Sequence, residues 1–325
     1  MKKFVALIGD VAVTVGCCIG VGFLSGKEAQ VFFGNVFNVV IFAVFFFAAS
    51  LALREHCRVN NCSTVNKLSD SLFAKMSKLF NVGIALCSFV CIVTVLAGVE
   101  QCLSTLFYLS NIPLYAFVAA LIASLLLQKD MKVLKYANFV SVVMAIILIL
   151  ILLFSNTAQN TENLQVPMYQ PIVYALFSVT MSLGVTAKLA HESSKKRNVV
   201  SCIVASVVIA LLMTAVLPLC PLNADLPTLE GITNPVLLAY AIVTVLFAAV
   251  TGIVANAYPI AQELKSVIPD NTVCSALIFG LALAFSMFGF DFAVRFGYLL
   301  VSAFGAVIIV LVIYKLTKKM QTLNR

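Results

Sequence analysis

Four glycines fall within the eleven residues from Gly16 to Gly26, in the first apolar run of the chain. Glycine costs roughly 1 kcal/mol relative to alanine in a helix interior, so this run predicts an interrupted helix. An interruption leaves backbone N–H and C=O groups without their helical partners. Within a membrane, such groups persist only where they line a cavity or are covered by protein. The chemistry that this segment could perform is therefore the reversible binding of a polar solute by main-chain groups.

The elements that must position this segment are membrane-spanning helices. The 325 residues are 62% hydrophobic and only 10% charged, whereas soluble domains carry about 25% charged residues. This composition predicts an all-α membrane protein and excludes a soluble domain of this size. The net charge of +8 does not indicate a nucleic-acid partner, because the basic residues lie in short loops between apolar runs.

The apolar runs predict how many times the chain crosses the bilayer. A membrane-spanning helix needs about 20 mostly apolar residues. Breaks at polar clusters and prolines predict ten spans, over residues 4–33, 36–53, 81–108, 113–128, 137–154, 169–190, 199–219, 234–263, 272–289 and 294–314. The longest hydrophilic stretch between them is 54–80. We therefore expect one integral membrane domain over residues 1–325.

The distribution of basic residues predicts the orientation of these spans. With a cytoplasmic N-terminus, all of the 21 Lys and Arg residues except Lys27 and Arg295 fall on the cytoplasmic side, as the positive-inside rule requires. Both termini are then cytoplasmic, in a multi-pass protein of the cell membrane. The first span is expected to be retained, because Asp10 interrupts the hydrophobic region that a signal peptide would need. The lipid bilayer is the expected partner, and no obligate protein partner is evident.

The chain is predicted to consist of two inverted halves, over about 4–154 and 169–314. Each half has five spans, and an odd number places the second half upside down relative to the first. Span six carries small and polar residues at a depth similar to that of the glycines in span one: Ser178, Thr180, Ser182 and Gly184. A second break in span six would give a binding site between the halves. The alternative is that these small residues only let helices approach closely.

The opening helix also resembles that of a known family. The first-helix signature of the amino acid–polyamine–organocation superfamily and of LeuT-type transporters resembles the run Gly16-x-x-Ile19-Gly20-Val21-Gly22-Phe23. The longer run from Gly20 to Glu28 is similar to the first helix of YkvI-type amino-acid permeases, and departs from it at Lys27. The resemblance implies a LeuT-like 5+5 inverted repeat with helices 1 and 6 broken. It also implies secondary active transport of amino acids or related small zwitterions by alternating access.

The predicted substrate site lies between the two breaks. The amides of Val21 and Gly22 would hold a carboxylate, because free amides at the start of a helix favour an anion. Open carbonyls around Ala175, Phe177 and Ser178 would accept hydrogen bonds from an ammonium group. Phe177 is either a lid over the substrate or an ordinary packing residue. The candidate substrate-binding residues are Cys18, Gly20, Val21, Gly22, Phe23, Ala175, Phe177, Ser178, Thr180 and Ser182.

The resemblance implies one possible coupling ion, a bound sodium, and otherwise no cofactor. Its expected ligands are the carbonyls of Gly16, Ile19 and Ala248 and the hydroxyl of Thr251. Gly252 stands where LeuT-type transporters have a second hydroxyl, which weakens this prediction. The competing coupling ion is a proton carried by Glu100 in span three, since intramembrane carboxylates are functional candidates. The alternative for Glu100 is a hydrated position near the outer interface.

Charged residues near the ends of the spans predict gates. Asp10 is expected to be a cytoplasmic gate or a helix-packing residue. Lys27 and Asp291 could close the outer vestibule as an ion pair, and Glu28 with Arg295 offers a second pair. Exposed pairs contribute only about 0–1 kcal/mol, which suits a gate that must reopen.

The sequence gives less support to other functions. The chain has two histidines and ten cysteines, but no metalloprotease, hydrolase or phosphate-loop motif, so we do not expect an enzyme. His56, Cys57 and Cys62 do not form a convincing metal site, and no structural disulfide is expected. A channel would need a continuous polar path. An amino-acid sensor on a transporter fold, without net transport, remains the alternative.

Overall fold

The structure, a computed structural model, describes residues 2–107, 113–128, 131–155, 165–220, 228–229, 232–264, 268 and 270–323. The described residues are helical and contain no strand. The first half comprises α1 (Lys2–Cys18), α2 (Val21–Leu24), α3 (Lys27–Phe32), α4 (Val36–Val59), α5 (Val65–Phe73), α6 (Ser77–Phe107), α7 (Leu114–Leu127) and α8 (Met131–Phe154). The second half comprises α9 (Gln170–Met181), α10 (Leu183–Glu192), α11 (Lys195–Val216), α12 (Pro235–Leu264), α13 (Asn271–Ser286), α14 (Phe290–Phe292) and α15 (Tyr298–Leu323).

The length and composition of these helices support a membrane protein. Six stretches of described helix are long and apolar enough to cross a bilayer: Val36–Val59, Val65–Leu106, Tyr136–Phe154, Lys195–Leu219, Pro235–Ala261 and Phe290–Lys319. The pair α9 and α10 passes the same test together, and three shorter apolar helices cover Phe4–Cys18, Leu114–Leu127 and Asn271–Ser286. Each predicted span overlaps one of these elements. The number of crossings and their orientation stay predictions.

The all-α architecture and the break in span one are confirmed. α1 ends at Cys18, and Gly20 takes an extended conformation with φ −105° and ψ −170° before α2 begins. Between α2 and α3, Gly26 has φ +80°, in the left-handed region that favours glycine over other residues. Two of the four glycines therefore lie at the points where the chain leaves the helical path.

Span six is bent rather than unwound. α9 and α10 meet at 65°, and Ser182 lies between them. Inside α9, the hydroxyls of Ser178 and Thr180 donate to the carbonyls of Tyr174 and Leu176, at 2.8 and 2.7 Å. Hydroxyls that bond back to the preceding turn in this way often bend helices.

The hydrophilic stretch 54–80 contains more helix than a simple loop would. α4 continues to Val59, and α5 follows with Thr64 as its N-cap, whose hydroxyl accepts from the amide of Lys67 at 3.3 Å. Some basic residues on which the orientation prediction depends, at positions 129, 265 and 325, lie outside the described residues.

The packing of the helices surrounds the break of span one and the bend of span six with elements from both halves. α1 packs against α8 and α11, and α9 packs between α4 and α15. α12 lies against α6, α7 and α8. The break of span one therefore faces elements from both halves of the chain, and these elements build the candidate site.

Candidate functional site

A small cavity lies at the break of span one. It holds about 20 Å³, and its lining comes from α1, α2, α3, α6, α9, α12, α14 and α15: Gly16, Cys17, Cys18, Ile19, Gly20, Val21, Gly22, Glu28, Thr94, Val95, Phe177, Met181, Gly252, Phe290 and Tyr298. A cavity needs about 10–15 Å³ to hold one water molecule. An amino acid therefore does not fit without movement of the surrounding helices, and the structure represents a closed conformation.

The main chain at the break has open hydrogen-bonding groups. The amide of Ile19 donates to the carbonyl of Val15 at 2.9 Å, and the amide of Leu24 donates to that of Gly20 at 3.1 Å. Between these two bonds, no backbone hydrogen bond joins α1 to α2 within the part of the chain that the structure describes. Open backbone groups that line a cavity are the arrangement on which broken-helix transport sites depend.

Glu28 lines this site, and its carboxylate bonds to two tyrosines in place of the predicted ion pair with Arg295. Its side chain is only 3% exposed. Oε1 accepts a hydrogen bond from the hydroxyl of Tyr298 at 2.5 Å, and Oε2 accepts one from Tyr174. Arg295, its expected partner, is exposed on the surface. The pair was mispredicted because neighbouring positions on a helix face different directions, so Glu28 turns inward where Lys27 turns outward.

The carboxylate of Glu28 also lies directly against Gly22. A Cβ built on Gly22 would be 2.6 Å from Oε1 of Glu28, which is closer than real carbon atoms come. A side chain at position 22 would therefore have to displace the carboxylate of Glu28. It also places a protein carboxylate beside the amides that are predicted to bind a substrate carboxylate.

Two tyrosines complete the site, and the sequence analysis did not identify either. Tyr174 comes from α9 and Tyr298 from α15, and both are buried. The ring of Phe177 stacks on that of Tyr298, with centroids 3.7 Å apart. Tyr298 follows a π-helical turn over Ala293–Gly297, and such turns often mark functional sites. Tyr174 lies one helical turn before Ser178, and that spacing could have identified it.

The predicted substrate residues divide into two groups. Five of them line the cavity: Cys18, Gly20, Val21, Gly22 and Phe177. The other five are buried outside its lining: Phe23, Ala175, Ser178, Thr180 and Ser182. The hydroxyl of Tyr174 on α9 lies 3.4 Å from the carbonyl oxygen of Cys18 on α1, within hydrogen-bonding distance, so spans one and six meet at this point.

The carbonyls of span six that were expected to be open belong to a continuous stretch of helix. Ala175, Phe177 and Ser178 lie inside α9, which continues to Met181. The carbonyl of Ser178 accepts from the amide of Ser182 at 3.2 Å. The backbone hydrogen bonds of α9 therefore continue without a break through these three residues. The bend is about one turn further along.

The residues present fit a sodium ion poorly. Gly16 and Ile19 line the cavity, whereas the other two expected ligands, Ala248 and Thr251, are not part of its lining. Gly252 lines the cavity without a hydroxyl. The described residues also contain no cluster of three His, Cys, Asp or Glu that could hold a metal ion.

Glu100 has a structural contact away from the cavity. Its Oε2 accepts a hydrogen bond from the amide of Ala116, in the first turn of α7, at 3.0 Å. A carboxylate at this position satisfies a helix-end amide and favours the positive end of the helix dipole. The contacts of Glu100 therefore do not support its predicted part in proton coupling.

Two ion pairs lie on either side of the site. Lys27 Nζ is 3.2 Å from Asp291 Oδ1, which joins α3 to α14. Asp10 is 1% exposed and accepts two hydrogen bonds from Arg197 at 2.6 and 2.8 Å, together with one from Ser193 at 3.1 Å. The predicted Lys27–Asp291 contact is thus present, and Asp10 joins the first span to the start of α11. Their function as gates stays a prediction.

The fold has counterparts among solved structures. No protein-family model matches the chain, and no curated protein sequence matches it. MhsT in complex with L-phenylalanine is 12% identical, covers 94% of this chain and 87% of its own, and has a TM-score of 0.64. Mhp1, a nucleobase-cation-symport-1 family transporter in a closed conformation with bromovinylhydantoin bound, is 14% identical over 93% of this chain and 74% of its own, with a TM-score of 0.65.

A third structure extends the comparison. A Na⁺-coupled sialic acid symporter in a substrate-bound outward-open state is 11% identical over 93% of this chain and 75% of its own, with a TM-score of 0.58. Identities this low show the fold alone, since one fold hosts many functions. The chain has the LeuT fold.

Proposed function

We propose that the protein is a secondary transporter of amino acids or related small zwitterions that works by alternating access. The observation that carries this proposal is the interrupted backbone of span one, which lines a small cavity between the two halves. The cavity is lined by main chain, small residues and aromatic rings, which suits a small solute with polar ends. A carboxylate-bearing solute agrees with the L-phenylalanine in the MhsT complex and with the sialic acid of the symporter, since both compounds carry a carboxylate.

The substrate is proposed to bind across the break. Its carboxylate would lie near the amides of Val21 and Gly22, which lack helical acceptors. Its ammonium group would donate hydrogen bonds to the nearby carbonyl oxygens of Gly16 and Ile19, two residues that line the cavity. The side chain would lie against Phe177 and Met181, so a small or hydrophobic amino acid is favoured.

Movement would come from opening the two ion pairs in turn. Breaking Lys27–Asp291 would release α3 from α14, and breaking Asp10–Arg197 would release α1 from α11. A ligand shifts such an equilibrium only through its different affinities for the two states. The closed cavity of the structure, with both pairs formed, corresponds to the intermediate between them.

A thermal-shift screen tests substrate binding. The purified protein in detergent is heated with each of the twenty amino acids, with and without sodium and at two pH values. A bound ligand raises the transition temperature in proportion to the logarithm of its concentration over its dissociation constant. We expect one group of similar amino acids to stabilise the protein. A flat response to all twenty contradicts the proposal.

Uptake into proteoliposomes separates a transporter from a sensor. The amino acids that stabilise the protein are radiolabelled and supplied to vesicles that contain it. Net accumulation or exchange is expected of a transporter, whereas a sensor would bind and give neither. Empty vesicles are the control.

A further inference from the structure

Glu28 is a buried acid without a basic partner among the described residues. Its two oxygens accept hydrogen bonds from Tyr174 and Tyr298, and the adjacent Lys27 pairs with Asp291 instead. A carboxylate that stays ionised in a buried site without a cation is costly. An ionisable residue in such a position within a membrane protein is a functional candidate.

The hydrogen bonds around Glu28 suit both of its protonation states. When the carboxylate is ionised, both tyrosine hydroxyls donate to it. When it carries a proton, its O–H can donate to the oxygen of Tyr174, whose own hydrogen has a second acceptor in the carbonyl of Cys18 at 3.4 Å. A buried network remains stable only when every member is satisfied. Here no member loses its partner on protonation.

Glu28 shares the cavity with the proposed substrate. Its Oε1 lies against Gly22, beside the amides that would hold the substrate carboxylate. Two carboxylates in one buried site cannot both ionise without strong repulsion, so one of them binds a proton. The entry of a substrate carboxylate therefore favours the protonated form of Glu28.

We propose that Glu28 takes up one proton with each substrate and releases it with the substrate on the other side of the membrane. This inference rests on the proposed function. The only bond that forms and breaks is the O–H bond of the carboxyl group, and the proton comes from and returns to water. Among the described residues, the other titratable groups that face this site are uncharged when protonated: Tyr174 on α9, Tyr298 on α15, Cys17 and Cys18 on α1, and Cys91 on α6.

The first test needs no variant. Alanine, leucine and phenylalanine are each added to the purified protein in weakly buffered detergent solution that contains a pH-sensitive dye. Binding is expected to take up protons and make the solution more alkaline. An amino acid that binds in the thermal-shift screen without any proton uptake at several pH values overturns the inference.

The second test measures proton-driven transport. Proteoliposomes receive an inward proton gradient in the absence of sodium, and the uptake of the three radiolabelled amino acids is followed with an internal pH dye. Glu28→Gln is expected to lose gradient-driven accumulation by roughly tenfold or more and to retain exchange at equal pH. The amide keeps the shape of the carboxyl group but cannot titrate. Glu55→Gln, at the partly exposed Glu55–Arg58 pair within α4, is the matched control and should behave as the wild type.

The possible results distinguish a failure of proton coupling by Glu28 from a failure of the proposed transport function. If Glu28→Gln keeps the proton drive while Glu100→Gln loses it, Glu100 is the coupling group and the inference is wrong. If folded Glu28→Gln loses binding and exchange as well, Glu28 is a direct ligand of the substrate ammonium group, which also overturns it. If the wild type neither accumulates nor exchanges any probe that binds, the transport proposal itself fails.

Discussion

The carboxylate of Glu28 lies over the Cα of Gly22, so close that a Cβ at position 22 would be 2.6 Å from Oε1 and 2.9 Å from Cδ of Glu28. Both residues belong to the first span and are separated by a left-handed turn at Gly26. The turn folds α3 back so that its acid faces the break that precedes it. This relationship makes Gly22 and Glu28 parts of one site.

Replacing Gly22 by alanine tests this relationship. The added methyl group must displace Glu28 from Tyr174 and Tyr298, and overpacking of this kind typically costs about 1–3 kcal/mol. We expect Gly22→Ala to lower the thermal transition and to abolish amino-acid stabilisation in the same assay. Gly280→Ala is the control, because a Cβ at Gly280 on α13 meets nothing within 4 Å. A Gly22→Ala protein as stable and as responsive as the wild type would show that Glu28 does not occupy this position.

Removing either ion pair, Lys27–Asp291 or Asp10–Arg197, is expected to make the cavity more accessible to solvent. Cys18 lines the cavity and is 5% exposed, so its labelling by a polar thiol reagent reports opening. Asp291→Asn removes an exposed pair of about 0–1 kcal/mol, and labelling should accelerate by a small factor. Asp10→Asn removes the buried carboxylate of a pair in which Arg197 is 26% exposed and which has two short hydrogen bonds, so it should have the larger effect.

Mass spectrometry of the labelled protein identifies Cys18 among the ten cysteines. Glu55→Gln, which breaks an ion pair within a single helix, should leave the rate unchanged. If Asp10→Asn and Asp291→Asn both label Cys18 at the wild-type rate, neither pair acts as a gate.

The absence of a hydroxyl at position 252 predicts weak sodium dependence. A Cβ on Gly252 would meet nothing within 4 Å, so serine fits there and would supply the ligand that LeuT-type transporters have at this position. We expect sodium chloride and choline chloride to stabilise the wild type equally, and sodium to stabilise Gly252→Ser more. Gly252→Ala separates the effect of the hydroxyl from that of the added volume. Sodium stabilisation of the wild type as large as that of Gly252→Ser would contradict the prediction.

The contact between Glu100 and the amide of Ala116 predicts a contribution to stability. Removing a side chain that satisfies a helix-end amide typically costs about 0.5–2 kcal/mol, so Glu100→Ala should lower the thermal transition. Glu100→Gln keeps an oxygen acceptor, so its thermal transition should fall by less than that of Glu100→Ala. The comparison is made by thermal unfolding in detergent at one pH. Equal losses in the two variants would mean that the hydrogen bond to Ala116 contributes little.

Local properties of the sequence predicted most of the fold. Apolar runs determine where helices can cross a membrane, and the conformational freedom of glycine identified the break between Cys18 and Val21. The bend of span six, at Ser182, lies among the small residues that indicated it, but the open carbonyls were expected about one turn too early. The reason is that Ser178 and Thr180 satisfy carbonyls of their own helix, and single-sequence patterns do not distinguish hydroxyls that bond back from hydroxyls that face a cavity.

The environment of Glu28 could not be predicted in the same way. Its two partners are 146 and 270 residues away in the sequence, so its burial depends on how α9 and α15 pack and not on its neighbours. An acid one residue after Lys27, next to a predicted outer vestibule, has the same local pattern whether it faces outward or inward. Only the packing of distant helices decides between a gate residue and a buried acid.

The hydroxyl of Tyr298 gives the sharpest test of whether Glu28 changes its charge. Tyr298→Phe keeps the ring that stacks on Phe177 and removes one donor to the carboxylate. Hydrogen bonds to charged groups contribute about 1.5–3 kcal/mol and those to neutral groups about 0.5–1.5 kcal/mol. The variant should therefore lose more stability at high pH, where Glu28 is ionised, than at low pH, where it is protonated.

The stability lost in Tyr298→Phe is expected to depend on pH in one direction only. The lost bond stabilises the ionised form, so the difference between wild type and Tyr298→Phe should widen as the pH rises. Tyr136→Phe, at a ring that is 71% exposed on α8, should show no difference at any pH. Thermal unfolding in detergent between about pH 5 and pH 9 measures both variants, since stability follows pH wherever the folded state binds protons differently. A loss that is the same at every pH would mean that Glu28 does not titrate in this range, and a proton-coupled transporter would then need another acid.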